Sequence, residues 1–229
     1  MRIAVVSDIH SNHDALRAVV SAIEGCDALV CVGDLVGYGA EPNEVLSEIR
    51  SLKPAGIVMG NHDYAVSTGD TYGFVQHAIQ AVEWTRKVIS EENVRYVSSL
   101  PRTVTFTADG STIVLAHGSP TDPLNEYIYP GTHEFILRSL VDGSQGEVLL
   151  LGHTHMPFSH EFNSKLLGNP GSVGQPRDGD PRASYAILEL SGNAKFRVYR
   201  VEYDIDAAAS KIVARGLPKF LADRLYIGL

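Results

Sequence analysis

Residues 2–10 read RIAVVSDIH, and this stretch decides how the chain begins to fold. The segment Arg2–Ser7 is a short run rich in β-branched side chains that ends in polar residues, which predicts a β-strand. Ser11 and Asn12 follow as candidate helix N-caps, and apolar residues then recur with helical spacing up to Ile23. The chain therefore starts with a strand, a polar turn and a helix.

The same order of strand, turn and helix is repeated along the next part of the chain. A second strand is predicted at Ala28–Val32, a helix opens at Pro42 and closes before Pro54, and Gly56–Met59 gives a third strand. Strands that alternate with helices at this spacing form βαβ units, in which neighbouring strands run parallel. We therefore predict an α/β protein whose sheet begins parallel.

The rest of the chain mixes helical patterns with antiparallel signals. Asp109-Gly110 stands between two strand-like runs, Thr103–Thr107 and Thr112–Ala116, and predicts a hairpin. The other predicted elements are, in order, a long helix from Phe74 to about Glu91, a helix around Thr132–Val141, a strand Val148–Leu151, short strands up to about Arg200, and a helix from Asp204 or Asp206 through Arg215. No linker or repeat divides the chain, so we expect a single domain, residues 1–229, with either a mixed, partly antiparallel sheet or a two-sheet sandwich.

The composition excludes several classes of protein. The chain has 229 residues, of which 44% are hydrophobic and 20% charged, so wholesale disorder is excluded. Its 19 basic and 27 acidic side chains give a net charge of −8, which argues against nonspecific binding to nucleic acids or to anionic membranes. No apolar run approaches the ~18 residues of a membrane helix. Asp8 comes too early for a signal peptide, so we expect a cytoplasmic protein.

Side chains that can bind metals stand directly after the predicted strands. Three groups follow the first three strands and two follow later ones: Asp8-Ile9-His10, Gly33-Asp34, Gly60-Asn61-His62-Asp63, His117 and Gly152-His153-Thr154-His155. The carboxyl ends of parallel strands lie on one edge of a sheet, where α/β folds form their clefts. A single His or Asp after a strand is usually a capping or turn residue. Five groups in the same position predict one common site.

The spacing within two of these groups supports convergence. Side chains two residues apart in an extended backbone point to the same side. Asp8 with His10, and His153 with His155, are therefore expected to face one centre. Both pairs would join the side chains at the ends of the neighbouring strands.

The five groups resemble the signature of the calcineurin-like metallophosphoesterase superfamily, which runs Asp-x-His, Gly-Asp, Gly-Asn-His-Asp/Glu, His and Gly-His-x-His. The resemblance covers about residues 1–175. The compact size of the chain and its segment Asn169-Pro170-Gly171-Ser172 are similar to the small prokaryotic phosphodiesterase branch of that superfamily. The resemblance implies a four-layer α/β/β/α sandwich of two mixed sheets, with two metal ions at its edge.

The resemblance also implies how seven side chains share the two ions. One ion would be held by Asp8, His10, Asp34 and His155, and the other by Asp34, Asn61, His117 and His153, with Asp34 as the bridge. Four imidazoles, two carboxylates and one amide oxygen suit divalent transition metals, namely Mn, Fe, Zn, Ni or Co. The absence of thiolate ligands argues against a structural zinc site.

The charge of such a centre explains the reaction that we expect. Two divalent ions bring four positive charges against the two negative charges of Asp8 and Asp34, so a phosphate would be drawn to the site. Two metals about 3.5–4 Å apart can share a water, lower its pKa, and hold the phosphate while the resulting hydroxide attacks phosphorus. We therefore expect hydrolysis of a small phosphate ester, more specifically of a phosphodiester.

Two other functions are compatible with the same residues. A phosphomonoesterase, or a protein or nucleotide phosphatase, usually carries additional arginines in the early motifs, and none follows Gly33-Asp34 or Asn61-His62-Asp63 here. A non-catalytic scaffold is the second alternative, because a retromer subunit has this fold and binds proteins. A scaffold would have lost ligands, whereas all seven are present. The sequence leaves the metal, the natural substrate and the oligomeric state open.

Further residues are candidates for catalysis or for substrate binding. His62 is next to a predicted ligand and could protonate the departing oxygen, with Asp63 orienting its ring and keeping it cationic. Arg177 either binds a phosphate bidentately or belongs to a turn. His13 either faces the cleft or is an ordinary surface or core histidine. Tyr38 either stacks on a base or covers the core.

Overall fold

Two five-stranded sheets form the framework of the protein, which a computed structural model describes for residues 1–229. The strands are, in chain order, β1 Arg2–Val6, β2 Ala28–Cys31, β3 Gly56–Ile57, β4 Thr103–Ala108, β5 Ser111–Ala116, β6 Val148–Leu150, β7 Phe158–Phe162, β8 Lys165–Asn169, β9 Ala183–Glu189 and β10 Lys195–Val201. The helices are α1 His13–Ala22, α2 Pro42–Leu52, α3 Asn61–Thr68, α4 Gln76–Val88, α5 Glu91–Ser98, α6 Glu134–Gly143, α7 Ile205–Ala214 and α8 Lys219–Asp223. None of these helices combines the length and the apolar composition needed to cross a membrane.

Both sheets combine parallel and antiparallel pairs. In the first sheet the order is β10-β9-β1-β2-β3; β1, β2 and β3 run parallel, and β9 is antiparallel to β1 and to β10. In the second sheet the order is β4-β5-β6-β8-β7; β6 is parallel to β5 and β8, and the edge strands are antiparallel. The parallel strands of each sheet therefore direct their carboxyl ends to one edge.

The alternation of side chains along β1 shows how the layers are stacked. Ile3 and Val5 face the second sheet and share a buried cluster with residues such as Leu150. Ala4 and Val6 point the other way, into the cluster that the first sheet forms with α1 and α2. The outer face of the second sheet packs against α6. The layers are thus helix, sheet, sheet and helix, so the predicted four-layer α/β/β/α sandwich is confirmed.

The predicted long helix from Phe74 to about Glu91 is present as α4 with shifted ends, and a separate helix that was not predicted, α5, follows it. Helix α4 ends where Ile89 leaves the helical conformation with a ψ of 137°. Ser90 then caps α5, since its side chain accepts a hydrogen bond from the main-chain N–H of Asn93. The apolar pattern continues across this break, so the pattern alone does not reveal it.

Two further differences from the sequence prediction lie next to the candidate site. The third strand is Gly56–Ile57 rather than Gly56–Met59, and α3 is not predicted at all. This helix begins inside a polar motif, and Asp63 caps it by accepting a hydrogen bond from the N–H of Gly60 at 3.0 Å. The other predicted elements, including the hairpin of β4 and β5, are present with ends shifted by one or two residues.

The two C-terminal helices cover one end of the strand edge. Together with α4, α7 and α8 form a buried cluster of mostly small and branched side chains that includes Ala81, Ala208 and Leu221. Tyr38, in the loop after β2, belongs to the same cluster. The C-terminal segment is thereby placed beside the loops that carry the predicted ligands.

Candidate metal centre

Main-chain hydrogen bonds tie the strand-end loops to one another. The N–H of His10 donates to the carbonyl oxygen of Asp34 at 3.0 Å, so the loops after β1 and β2 run side by side. In the second sheet the N–H of Gly152 donates to the carbonyl oxygen of His117 at 2.9 Å. The two sheets are joined at the same edge, because Nδ1 of His117 donates to the carbonyl oxygen of Val32 at 2.7 Å.

These loops bring the predicted ligands together in two sets. The first set is Asp8, His10, Asp34 and His155, and the second is Asp34, His117 and His153. All six side chains are buried, and within each set the candidate ligand atoms lie within 4.8 Å of one another. Asn61 places its Oδ1 3.2 Å from Nε2 of His117, beside the second set. We call these seven side chains the metal centre; Asp34 is common to both sets.

Each carboxylate of the metal centre keeps one oxygen free for a cation. Oδ2 of Asp8 accepts a hydrogen bond from the N–H of His153 at 3.1 Å, and Oδ1 of Asp34 accepts one from the N–H of His62 at 2.8 Å. The remaining oxygens, Oδ1 of Asp8 and Oδ2 of Asp34, are buried and have no hydrogen-bond partner. Burying unpaired carboxylate oxygens is costly unless a cation neutralises them. The orphaned oxygens therefore fit a metal site.

Three histidines of the centre are oriented by main-chain carbonyl groups. Nδ1 donates to a carbonyl oxygen in each case: His10 to Val36, His117 to Val32 and His155 to Gln175. Because a carbonyl oxygen only accepts, each ring carries a hydrogen on Nδ1 and directs Nε2 towards the centre. Histidines that bind metals are held in this manner, since the hydrogen bond fixes both the tautomer and the ring orientation.

The four histidines differ in charge. Burial lowers the pKa values of His10 and His155, and it lowers the pKa of His153 to about 3, so these rings are neutral at pH 7. The Nε2 atoms of His10 and His155 therefore present lone pairs to each other at 3.0 Å. Burial also opposes the charge on His117, but the carboxylate of Asp34 raises the pKa of His117 to about 9. A cation would relieve the lone-pair contact and replace the proton on His117.

The sequence analysis expected the paired ligands to converge because their backbone is extended, and this reason is wrong. The paired residues are not extended, because five ligands have positive φ angles: Asp8 53°, His10 49°, Asp34 53°, His153 69° and His155 58°. The left-handed conformation costs a residue other than glycine roughly 1–3 kcal/mol, and such strain is concentrated at functional sites. The side chains converge because the loops turn sharply, with the neighbouring loops holding them in that conformation.

Two glycines of the motifs are required by close packing against ligands. A Cβ atom on Gly60 would lie 2.0 Å from Oδ1 of Asp34. At Gly33, where φ is +89°, a Cβ atom would lie 2.8 Å from Nδ1 of His117. Any side chain at either position would displace a predicted ligand, which explains the glycines of the Gly-Asp and Gly-Asn-His-Asp motifs.

The Asn-Pro-Gly-Ser segment after β8 supports two of the ligand loops. Nδ2 of Asn169 donates to the carbonyl oxygen of Gly152 at 2.7 Å, next to His153. Oγ of Ser172 donates to the main-chain carbonyl oxygen of Asp8 at 2.7 Å. This segment therefore fixes one loop from each sheet, although it contributes no side chain to the metal centre.

Asp63 has a different role from the predicted one. Its Oδ1 accepts hydrogen bonds from the N–H groups of Leu35 at 2.9 Å and Val36 at 3.1 Å, and its Oδ2 accepts from Gly60 at 3.0 Å. All of these donors belong to the main chain, and the carboxylate makes no hydrogen bond to His62. The predicted pairing, in which Asp63 orients the His62 ring, is therefore wrong. Asp63 instead holds the loop after β2 against the start of α3.

His62 is held in the wall of the site by aromatic packing. Its ring centroid lies 4.4 Å from that of Tyr38 and 4.7 Å from that of Phe74, and its Nδ1 has no hydrogen-bond partner. Burial lowers the pKa of His62 to about 4, so the expectation that Asp63 keeps this ring cationic is also wrong. A catalytic role for His62 remains a prediction.

The remaining predicted substrate residues are found in different places. Tyr38 is buried and packs edge-on against His10, with a centroid distance of 4.7 Å, so it covers the core beside the metal centre. The guanidinium of Arg177 lies 5.7 Å from the Tyr38 ring centroid. His13 contacts Glu48 of α2 through its Nε2 at 2.6 Å. The suggestion that His13 faces the cleft is therefore wrong.

A cleft of about 240 Å³ opens beside the metal centre, and Asn61 is the member of the centre that lines it. The residues that line it include Tyr38, His62, His77, Tyr127, Arg177 and Arg224. Tyr127 stacks on the ligand His153 with a centroid distance of 3.7 Å. The sequence analysis assigns no role to Tyr127, His77 or Arg224. No motif surrounds these three residues, so only the fold places them.

Comparison with known proteins settles the family. The profile of the calcineurin-like phosphoesterase superfamily domain matches residues 1–193. The chain belongs to the calcineurin-like phosphoesterase superfamily. An uncharacterized protein of Methanocaldococcus jannaschii is 40% identical over 99% of this chain and 98% of its own length. The phosphodiesterase YfcE of Escherichia coli K12 is 27% identical over 82% of this chain and 88% of its own length.

A solved structure supports the same conclusion. The crystal structure of a metallophosphoesterase from Sphaerobacter thermophilus is similar to this calcineurin-like phosphoesterase with a TM-score of 0.87 at 34% identity. The similarity covers 100% of this chain and 99% of that one. The predicted family is therefore confirmed. Phosphoesterases of this superfamily depend on metals, and this member carries clustered His and Asp side chains that can bind them.

Proposed function

We propose that this protein hydrolyses phosphodiesters with two divalent transition-metal ions, held by the seven side chains of the metal centre. One observation carries the proposal: two buried sets of ligand atoms share Asp34, and each set contains a carboxylate oxygen without a hydrogen-bond partner. Imidazole, carboxylate and amide donors suit Mn, Fe, Zn, Ni or Co. When bound, such a pair of ions supplies Lewis acidity and an activated water for attack on phosphorus.

The residues of the chain hold the substrate and assist the departure of the leaving group. Arg177 faces the cleft with its guanidinium and can hold a phosphate oxygen beside the metal centre. His62 lines the same cleft, where its neutral ring can donate a hydrogen bond to the departing alcohol oxygen. Tyr127 covers the ring of His153 and shields that ligand from solvent. Hydrolysis joins the oxygen of a water to phosphorus and breaks the bond between phosphorus and the alcohol oxygen, which leaves with a proton from that water.

A diester is favoured over a monoester by two observations. The structure brings no arginine from the early motifs into the cleft, and YfcE, which covers most of the chain in the alignment, is named a phosphodiesterase. We expect the metal-loaded protein to hydrolyse bis-(p-nitrophenyl) phosphate faster than p-nitrophenyl phosphate. Faster turnover of the monoester would overturn the diester preference while leaving the hydrolase intact.

The test of metal dependence uses chelation and a matched pair of histidine variants. Dialysis against EDTA is expected to abolish hydrolysis of bis-(p-nitrophenyl) phosphate, and Mn²⁺ is expected to restore it. His155→Ala removes a ligand and should abolish both metal uptake and hydrolysis, whereas His160→Ala, on β7 outside the metal centre, should change neither. Binding of metal without any hydrolysis would favour the scaffold alternative. Hydrolysis that persists after complete chelation would contradict the proposal.

A further inference from the structure

Two arginines line the cleft without an acidic side-chain partner. Arg177 donates only to neutral groups, namely the Oε1 of Gln175 at 3.1 Å and the hydroxyl of Tyr38 at 3.4 Å, and its buried Nε has no partner. The Nε of Arg224 donates to the main-chain oxygen of Leu229. Neither guanidinium takes part in a salt bridge with an acidic side chain.

Acidic side chains close in sequence to Arg177 are paired with other arginines. Asp178 forms an ion pair with Arg200, and Asp180 forms one with Arg182 at 2.7 Å. The acidic groups that follow Arg177 in the chain are thus paired with other arginines, and they do not neutralise the charge that Arg177 brings to the cleft. Guanidinium groups that lack an acidic side-chain partner in a partly enclosed site attract anions, and their planar donors match a phosphate group.

The two arginines also affect each other. Burial, and second the neighbouring charge of Arg177, lower the pKa of Arg224 to about 10. Two guanidinium groups are therefore held in one partly buried cleft. Such an arrangement is unfavourable without a counter-ion, because each charge loses hydration and the two repel each other. An anion bound between them would remove this cost.

The position of Arg224 separates it from the common part of the fold. The superfamily profile ends at residue 193, whereas Arg224 directly follows α8. Phe220 of the same helix packs against His77 with a centroid distance of 4.9 Å, and the guanidinium of Arg224 lies 5.3 Å from the Phe220 ring centroid. The C-terminal segment therefore adds a charged wall to a cleft whose metal centre is built by the superfamily domain.

We propose that Arg177 and Arg224 form a second anion site that binds an additional phosphate group of the substrate, beside the one that is hydrolysed. The inference rests on the proposed function, and it names the substrate class as phosphate diesters that carry a further phosphate monoester. With two divalent ions, the two carboxylates and the two arginines, the cleft has a formal charge of about +4. A simple diester brings one negative charge, whereas a diester with an additional phosphate brings about three.

A matched pair of chromogenic substrates tests the preference. Thymidine 5′-(p-nitrophenyl phosphate) is compared with the same compound bearing a 3′-phosphate, because both release p-nitrophenolate from the same diester. We expect the 3′-phosphate to raise kcat/KM roughly tenfold, which corresponds to one good charged contact. Arg224→Gln should remove this preference, and Arg224→Lys should keep part of it. Arg197→Gln, which makes the same charge change on β10, should retain it.

A binding measurement separates failure of this inference from failure of the proposed function. Calorimetric titration of the metal-loaded protein with thymidine 3′,5′-bisphosphate and with thymidine 5′-monophosphate should show tighter binding of the bisphosphate, and Arg224→Gln should abolish the difference. If neither ester is hydrolysed but this difference is found, the anion site stands and the hydrolase proposal fails. If the esters are hydrolysed equally well and the two nucleotides bind equally, the anion site is overturned. A normal thermal unfolding midpoint shows that Arg224→Gln has folded.

Discussion

The metal centre and the wall of the cleft beside it are held in different ways. Both carboxylates and three of the four histidines of the metal centre are hydrogen-bonded to the main chain: Asp8 and Asp34 accept from N–H groups, and the histidines donate to carbonyl oxygens. The wall of the cleft, which includes His62, His77 and Phe220, is held by contacts between side chains instead, such as the packing of Phe220 on His77. Main-chain contacts survive most substitutions, whereas side-chain contacts change with sequence. The difference suggests that the chemistry is fixed by the loops and that selectivity is set by the wall.

The largest expected effect is at the residue common to both ligand sets. Asp34→Ala should abolish uptake of both ions and reduce hydrolysis by more than the roughly 10–100-fold that changes around a metal site produce when its ligands remain. Metal content by inductively coupled plasma mass spectrometry and the rate with bis-(p-nitrophenyl) phosphate measure this. Asp206→Ala, on the exposed surface of α7, is the control. A variant that keeps two ions would show that Asp34 does not bridge.

A smaller loss of activity is expected when His62, a residue of the cleft wall, is replaced. His62→Ala should lower kcat by roughly 10–100-fold, the loss expected for one hydrogen bond to a charged oxygen, while the metal content stays near normal. The comparison of the rate with the metal content decides the role of this residue. If both ions are lost with the ring, His62 belongs to the ligand set and not to the wall of the cleft.

A substitution at Gly60 tests how strictly the packing of the main chain controls the geometry of the metal centre. In Gly60→Ala the new Cβ would meet Oδ1 of Asp34 at 2.0 Å, so the carboxylate must move. We expect metal affinity to fall by roughly 10–100-fold, as for other groups that orient ligands. Gly131→Ala is the matched control, because a Cβ there meets nothing within 4 Å. Unchanged Mn²⁺ affinity in the Gly60 variant would show that the loop adapts more freely than its packing indicates.

The charge on His117 predicts a pH dependence of metal binding. Because Asp34, against the effect of burial, raises the pKa of His117 to about 9, the metal-free protein carries a proton on this ring below that pH. A metal must displace the proton, so apparent Mn²⁺ affinity should rise about tenfold per pH unit between about pH 6 and pH 8. Titration calorimetry in two buffers of different ionisation enthalpy should show release of about one proton. A pH-independent affinity would contradict this.

The smallest effect is expected at the outer wall. Phe220 is 53% exposed and contacts the guanidinium of Arg224, a type of contact worth about 0.5–1 kcal/mol at exposed sites. Phe220→Ala should therefore raise KM for a phosphorylated diester by about two- to fivefold without altering metal content. Steady-state kinetics gives the KM, and elemental analysis gives the metal content. A loss of bound metal in this variant would show that wall and centre are not independent.

The same comparison explains what the sequence could predict. The ligand motifs each follow a strand, and parallel strands bring such positions to one edge whatever the details of the loops, so the order of elements predicts that the five motifs meet. The choice of the seven candidate ligands among them came from the resemblance to the superfamily. The left-handed angles of residues such as Asp8 and His155 arise from contacts between loops, and no local pattern encodes them. The helical pattern of the C-terminal segment is visible in the sequence, but its position over the cleft depends on packing against α4, so Arg224 cannot be assigned without the fold.

Asp63 shows a different kind of error. Its place beside His62 in the chain suggested a pair, but consecutive residues at the start of a helix point in different directions. The carboxylate turns back to cap the helix and to receive the N–H groups of Leu35 and Val36. Sequence proximity within a motif therefore predicted a contact that the fold does not form.

The location of bound metal tests the central claim most directly. A crystal grown with Mn²⁺ and measured near the manganese absorption edge should show two anomalous peaks, one among Asp8, His10, Asp34 and His155, the other among Asp34, Asn61, His117 and His153. Asp34 should contact both. A single peak, peaks elsewhere on the protein, or no peak at saturating Mn²⁺ would contradict the account.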